Sequence, residues 1–330
     1  MEERITLDHG EGGAATSRLV RNIFVRHLGG PAVLEDAAII TDKIQFALTT
    51  DSFVVRPLFF PGGDIGKLSI SGTVNDLAVM GAKPRYITAG FIIEEGMEIS
   101  TLERVVESMT HTAKEAGVAV VTGDTKVVGK GEADGLFINT TGLGIPLSGV
   151  SLSSASCRLG DLVLVSGPIG DHGTAIIVAR GQFEMSGDIG SDCQPLWDLA
   201  EAILKAAPST HCMRDPTRGG FATILVEIAQ ASQVGISINE NLVPIRRSTR
   251  AACMLLGFDP LYMACEGRLV AIVPENQAKA ALDAMRKNPR GTEAAIIGQV
   301  CDGKGVILET VAGGRRPLLL LEGAQLPRIC

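Results

Sequence analysis

The sequence predicts a two-domain α/β (α+β) protein, on three observations. The chain has 330 residues, more than a single compact core usually serves. Short apolar runs alternate with helix-periodic stretches in both halves. A Ser-rich stretch without periodicity, LSGVSLSSAS at 147–156, lies between them. The expected division is an N-terminal domain over 1–150, a C-terminal α+β domain over 151–322, and a mobile tail over 323–330.

The elements follow in order. Residues 1–13 read as a Gly-rich arm. Residues 14–28 have helical spacing, with Leu19 and Ile23 on one row and Val20, Phe24 and Leu28 on the next. The apolar runs AAII, FALTTD and SFVV suggest strands, and 64–80 a helix with Ile65, Leu68, Val74, Leu77 and Ala78 on its apolar side. A strand is expected near Tyr86–Ile93. A helix over Ser100–Ala116 would have Ser100 as N-cap and Glu103 completing a capping box. VAVVTGD and GLFINTTGLG read as buried strands. The second half opens on a strand in GDLVLVSG. Helices are expected over 172–180, 195–206, 218–232, 247–256 and 275–288, with a last strand at Pro317–Leu321. The tail GAQLPRIC holds little that packs, and its eight residues span at most about 27 Å.

Composition excludes several classes. The chain is 45% hydrophobic and 20% charged, with net charge −7. That argues against a broad polyanion-binding surface. Aromatics at 4% are too few for base-stacking platforms. The seven cysteines include no C-x-x-C pair, so a zinc ribbon or thioredoxin-type reading has no support. The N-terminal residues lack a signal peptide's apolar core, and no apolar run is long enough to span a membrane. The expectation is a reducing cytoplasm, with Cys157, Cys193, Cys212, Cys253, Cys265 and Cys301 as packing residues.

Two phosphate motifs fail or are weak. PGGDIGKLS lacks a glycine at Pro61 and a hydroxyl at Leu68, so it is no P-loop. GEGGAA followed by Glu35 is a weak dinucleotide signal. The aspartates say more. Asp36, Asp51, Asp76 and Asp124 each border an apolar run, where each is expected at an element's end. Any one could be a cap or turn residue. Four together suggest a cluster for Mg²⁺, which commonly arrives with phosphate oxygens. SGTVND, with Thr73 and Asn75, is expected to open a helix and offer backbone N–H groups to an anion. RDPTRGG does the same for the helix over 218–232, adding Asp215, Thr217 and Arg218. Lys126 shares a strand face with Asp124. Lys126 could as well be a surface residue, Glu266 a solvated loop carboxylate, and His172 an ordinary loop histidine.

With these residues in view, the chain resembles the HypE family of hydrogenase maturation proteins. That family belongs to the superfamily of aminoimidazole ribonucleotide synthetase, selenophosphate synthetase and thiamine monophosphate kinase. The resemblance covers essentially the whole chain. It rests on HGEGG, TTDSFVVRPLFFPGGDIGKL, GTVNDLAVMGAKP, GFIIEEG, VTGDTKVV, GLFINTTGLG, MRDPTRGG and PRIC. Cys265 departs from the family pattern, which has Asn before the glutamate. The resemblance implies an N-terminal domain forming a dimeric β-barrel in a homodimer, and ATP in the cleft between domains. It implies that Cys330 receives a carbamoyl group from the carbamoyltransferase HypF. ATP-dependent dehydration then gives a thiocyanate, whose cyano group goes to iron on the HypC–HypD complex.

On this reading Asp36, Asp51, Asp76 and Asp124 hold Mg²⁺ against the triphosphate. Thr73, Asn75, Asp215, Thr217 and Arg218 line the nucleotide site. Lys126 steadies the transferring phosphoryl group, and Glu266 is the base. Pro327 would stiffen the tail, and Arg328 would steer it towards phosphates. Prenylation is excluded, because the C-a-a-X cysteine position holds Pro327. The alternatives are a small-molecule kinase or synthetase of the same superfamily and a non-catalytic carrier of a modified thiol.

Overall fold

The computed structural model describes residues 13–25, 35–41, 45–181, 188–321 and 328–330. The arm up to residue 12, His9, His27 and tail positions 322–327, Pro327 included, lie outside the described residues.

The first half builds a five-stranded sheet. Its strands are β1 (Ala38–Thr41), β2 (Gln45–Phe53), β5 (Ala82–Glu94), β6 (Ala119–Val128) and β7 (Leu136–Pro146), in the order β1-β2-β7-β5-β6. Strands β3 (Phe59–Phe60) and β4 (Gly63–Asp64) form a separate small ladder. The helices here are α1 (Ala14–Leu19), which continues as a π-helical stretch over Val20–Val25, then α2 (Ile65–Val79) and α3 (Ile99–Ala116). Asp64 starts α2: its Oδ1 accepts from the N–H groups of Gly66 at 2.7 Å and Lys67 at 3.1 Å. The helix is buried nearly all round, because the sheet covers one side and later elements the other.

The second half builds a seven-stranded sheet, ordered β14-β13-β10-β12-β8-β11-β9. Its strands are β8 (Leu162–Val165), β9 (Cys212–Arg214), β10 (Gly235–Asn239), β11 (Val270–Val273), β12 (Ala295–Cys301), β13 (Gly305–Glu309) and β14 (Arg315–Leu318). The helices are α4 (Asp171–Ala179), α5 (Trp197–Ala206), α6 (Gly220–Ser232), α7 (Arg247–Leu256) and α8 (Glu275–Lys287). One apolar core runs through both halves, joining Ile70 and Val74 of α2 to Leu199 and Ile203 of α5. That shared core fixes where the two sheets meet.

Four expectations change. SGTVND does not open a helix: residues 71–76 lie well inside α2, whose backbone N–H groups there are already spent. α3 begins at Ile99 with Glu98 as N-cap residue, and Ser100 hydrogen-bonds the Glu98 carboxylate instead of the helix end. β6 is not buried: residues 119–127 are all exposed, since β6 is an edge strand beyond the cover of the helices. The last strand is β14, ending at Leu318. The Ser-rich stretch also has a task. Ser153 Oγ, Ser154 N–H and Ser154 Oγ all donate to the Glu35 carboxylate at 2.6–2.9 Å. Glu35 is therefore an anchor, engaged with the backbone of 153–154, and not a ribose acceptor.

Candidate active site where the two sheets meet

Strand alternation aims β2 at α2. Thr49, Asp51 and Phe53 share one face, and the neighbouring residues 48, 50 and 52 are exposed on the other. The Thr49 hydroxyl donates to Asp76 Oδ2 at 2.7 Å, with the Asp36 carbonyl 3.1 Å away. Asp51 hydrogen-bonds Asp76. From the second sheet, β9 ends at Arg214, and Asp215 follows in a turn closed by Thr217 N–H on the Asp215 carbonyl at 3.0 Å. One carboxylate oxygen each from Asp36, Asp76 and Asp215 lies within 4.8 Å of the others.

This crowding has an electrostatic signature. Burial pushes the Asp36 carboxyl up to about 6, against the pull of Arg214, whose Nε lies 2.5 Å from Asp36 Oδ2. Burial, then the neighbouring Asp36, pushes Asp215 up to about 8. Asp76 is pushed well above the carboxylate range by burial, then by Asp51, Asp215 and Asp36. Asp51 is raised by burial and pulled back by Arg218. Asp215 Oδ2 is buried and has no hydrogen-bond partner. Crowded, desolvated hard oxygens with an orphaned atom among them suit a hard divalent cation.

Glu266 reaches the same place from the loop before β11. It is 2% exposed, and its Oε1 has no hydrogen-bond partner. Burial, then Asp215, Asp192 and Asp51, hold its carboxyl well above the usual range, while Arg218 favours the ionised form. The loop is held from behind. Asp192 Oδ1 accepts the Glu266 N–H at 3.0 Å, and Gln194 N–H donates to the Glu266 carbonyl at 3.4 Å. A Cβ on Gly267 would lie 1.8 Å from the Asp192 carbonyl oxygen, so only glycine permits this approach. Sequence reasoning missed Asp192. It acts through the backbone of residues more than seventy positions away, which no local pattern signals.

Other expected residues fall elsewhere. Asn75 is 1% exposed and faces away from solvent. Its amide donates to the Gln194 and Glu266 carbonyls, and its Oδ1 accepts from Leu196 N–H at 2.8 Å. It ties α2 to the Glu266 loop, and its polar groups are spent there. Thr73 is fully buried against Thr140, with their hydroxyls 2.5 Å apart. Thr217 and Arg218 lie in the turn before α6, with Arg218 exposed. Asp124 does not join the cluster within one chain. The register Asp51–Thr140–Ala89–Gly123 places it three strands away, about 14 Å across the sheet. Its carboxylate pairs with Lys126, and the two side chains are 70% and 67% exposed. That pairing holds Asp124 below its usual range. Cys265 is buried, with its thiol taking the Gly170 N–H at 3.1 Å.

The end of the chain is docked just past β2. Ile329 is only 5% exposed, against the expectation that the tail packs little. Val54, just past β2, donates its N–H to the Cys330 carbonyl at 3.0 Å. Arg328 binds the Asp134 carboxylate and the Val54 carbonyl, and not a phosphate position.

Comparison with known proteins agrees with this architecture. Residues 34–146 match the model of the AIR synthase related protein N-terminal domain, and residues 158–311 that of its C-terminal domain. Carbamoyl dehydratase HypE of Azotobacter vinelandii is 49% identical, with 99% of this chain and 97% of that protein aligned. A crystal structure of a HypE–HypF complex superposes with a TM-score of 0.89 at 44% identity, covering 92% of this chain and 99% of that one. A crystal structure of HypE in complex with ATP superposes at 0.85 with 46% identity, covering 99% and 100%. The chain has the two-domain α/β fold of the AIR synthase related proteins and belongs, among them, to the carbamoyl dehydratase HypE family.

Proposed function

We propose that this protein dehydrates a carbamoyl group carried on its own Cys330, using ATP, to make the thiocyanate that supplies a cyano ligand in hydrogenase maturation. The observation that carries the reading is the seat of Cys330. It is bound at Val54, three residues from Asp51 on the same strand direction, about 10 Å along the chain. That seats the thiol-bearing residue along the same stretch of chain that carries Asp51 of a carboxylate cluster suited to Mg²⁺ and a triphosphate. Relatives named carbamoyl dehydratase, and one crystallised with ATP, support the same reading. The competing reading, a small-molecule kinase, has structural support only at the level of fold.

The chemistry balances as follows. The carbamoyl oxygen attacks the γ-phosphorus of ATP, ADP leaves, and the nitrogen loses one proton. The S–C(=NH)–O–phosphate so formed then loses phosphate. Its remaining N–H proton departs, and the C≡N bond closes. Oxide is a poor leaving group and phosphate a good one, which is why ATP is needed. Asp36, Asp51, Asp76 and Asp215 would hold Mg²⁺, which neutralises triphosphate charge when bound. Glu266 is the base. Burial first, then the neighbouring Asp215, Asp192 and Asp51, holds its carboxyl protonated, so neutralising Asp215 and Asp51 would favour its ionisation. Thr217 and Arg218 lie at the start of α6, where backbone N–H groups and a guanidinium can receive phosphate oxygens.

Asp124 and Lys126 enter from a second protomer. β6 is an exposed edge strand carrying Val120, Val121 and Val127 to solvent on both faces, a surface that needs cover. A homodimer that joins these sheets, as a barrel, brings the Asp124–Lys126 pair of one chain towards the other's cleft. HypF is the expected carbamoyl donor and HypC–HypD the acceptor, in the cytoplasm; among the described residues no helix is long and apolar enough to cross a membrane. Incubating carbamoylated protein with Mg²⁺ and ATP, then weighing it, tests the reading. A loss of one water at Cys330 is expected; an unchanged mass sinks it.

A further inference from the structure

We propose that Val54–Arg56, Asp134, Arg180 and His172 form a clamp for Arg328–Cys330, in which His172 is the positioning residue that seats Cys330 for reaction. The inference rests on the functional reading above and deepens it.

His172, on the first turn of α4, is fully buried and stands edge-on to Phe60. Its Nε2 lies 2.7 Å from the Ile329 carbonyl and its Nδ1 2.8 Å from Ser191 Oγ. A carbonyl can only accept, so Nε2 carries the proton. Burial lowers the imidazole's pKa to about 4 and keeps it neutral, so Nδ1 is bare and accepts the Ser191 hydroxyl. Ser191 Oγ in turn takes the Cys193 N–H at 3.0 Å. A buried histidine with both nitrogens engaged is a fixed donor aimed at one backbone carbonyl of the tail.

The rest of the clamp reads the adjoining residues. Arg56 N–H and Arg180 Nη2 both donate to the Arg328 carbonyl, at 3.3 and 2.9 Å. Arg328 Nε donates to the Val54 carbonyl at 2.9 Å, its guanidinium pairs with Asp134, and it lies over the Phe137 ring. Arg328 has φ 59°, a conformation disfavoured for any residue with a side chain. Among the described residues this set of contacts holds it there.

The strap of residues 191–194 links the clamp to the base. Ser191 orients His172, while Asp192 and Gln194 hold the backbone of Glu266. One four-residue segment therefore registers the substrate-bearing tail and the group that must take its proton. Positional error of about 1 Å between two such groups costs roughly two orders of magnitude in rate, so a shared support has catalytic value.

The full-length protein allows two readouts. One is the rate at which iodoacetamide alkylates Cys330, followed by peptide mass. The other is single-turnover loss of water from carbamoylated Cys330 at saturating Mg²⁺–ATP. His172→Phe keeps the ring and removes the donor. It is expected to speed alkylation and slow dehydration by about tenfold each, as for one lost buried hydrogen bond, with the KM for ATP within about twofold. His172→Gln can restore a donor and is expected to recover most of both. Asp134→Ala, at a half-exposed position that the core does not need, is expected to speed alkylation by about two- to fivefold. If alkylation of Cys330 is unchanged in both His172→Phe and Asp134→Ala, the clamp is wrong whatever happens to catalysis. If the KM for ATP rises in step with the loss of rate, His172 is not a positioning residue for the tail. Failure of the wild-type protein to lose water would overturn the function while leaving the alkylation result to judge the clamp.

Discussion

Asp76 and Asp124 are carboxylates of one chemical type in one half of the molecule, and their surroundings oppose each other. Asp76 is enclosed by β2, α2 and the Asp215 turn, with three other carboxylates near it and its pKa driven up. Asp124 stands in solvent on an edge strand, paired with Lys126 and driven down. The first lies among crowded, desolvated carboxyls whose oxygens suit a hard cation. The second is a solvent-exposed ion pair with Lys126. The difference teaches that, within one chain, Lys126 and the buried carboxylates lie three strands apart, so the proposed reaction needs a second protomer to join the two halves.

The largest effect separates these halves. Asp76→Asn should lower Mg²⁺-dependent ATP turnover by at least about 100-fold, since the cluster loses a central oxygen anion. The same change should leave the melting temperature of the metal-free protein unchanged or higher, because a crowded buried carboxyl is removed. A fall in both would make Asp76 structural.

Lys126→Ala should slow dehydration by about tenfold or more while changing stability by less than about 0.5 kcal/mol, as expected for an exposed side chain. Mixing Lys126→Ala with Asp76→Asn protein then tests whether the halves belong to different protomers. Random reassortment makes half the dimers mixed, each with one intact composite site, so activity should return to about a quarter of wild type. No recovery above the two separate variants would return Lys126 to its own chain.

A smaller effect concerns pH. Asp215 titrates near 8 when folded against 3.8 as its ordinary value. Between those values the folded protein binds the extra proton. The stability this contributes is complete at low pH and is lost as the pH rises through about 8. The metal-free protein should therefore melt at lower temperature at pH 8 than at pH 6. Saturating Mg²⁺ should raise the melting temperature more at pH 8. Equal Mg²⁺ shifts at both values would mean that the cluster is not where the cation binds.

How much of this was legible depended on whether the cause was local. α2 was readable from Ile65, Leu68, Val74 and Leu77, because helical burial follows a period in sequence. Placement beside apolar runs groups Asp36, Asp51, Asp76 and Asp124 at element ends; the first three meet within one chain, Asp51 and Asp76 lie inside β2 and α2, and Asp124 stands apart on β6. β6 was misread because VAVV is as apolar as a core strand; whether a strand is central or an edge is decided by topology, which periodicity does not encode. Asn75 is expected at the nucleotide because SGTVND reads as a helix start and matches the family motif. On a helix, however, neighbours point about 100° apart, and Asn75 faces Gln194 and Glu266 instead. His172 and Asp192 were illegible as a pair because their meaning lies in backbone groups of Ile329 and Glu266, distant in sequence.

The smallest expected effect lies at the other end of the helix that carries Asp76. Asp64 caps α2 through two backbone N–H groups and also accepts the Ser108 hydroxyl at 2.6 Å, joining α2 to α3. Asp64→Ala should cost about 1–2 kcal/mol of stability, the range for a lost N-cap, and little turnover per folded molecule. It is thus the mirror of Asp76→Asn: stability lost with chemistry kept, against chemistry lost with stability kept. Urea unfolding paired with ATP turnover at a temperature where both variants stay folded checks it. A tenfold fall in turnover for Asp64→Ala would show that α2 transmits strain along its length to Asp76, and the clean separation between scaffold and reaction centre along this helix would be lost.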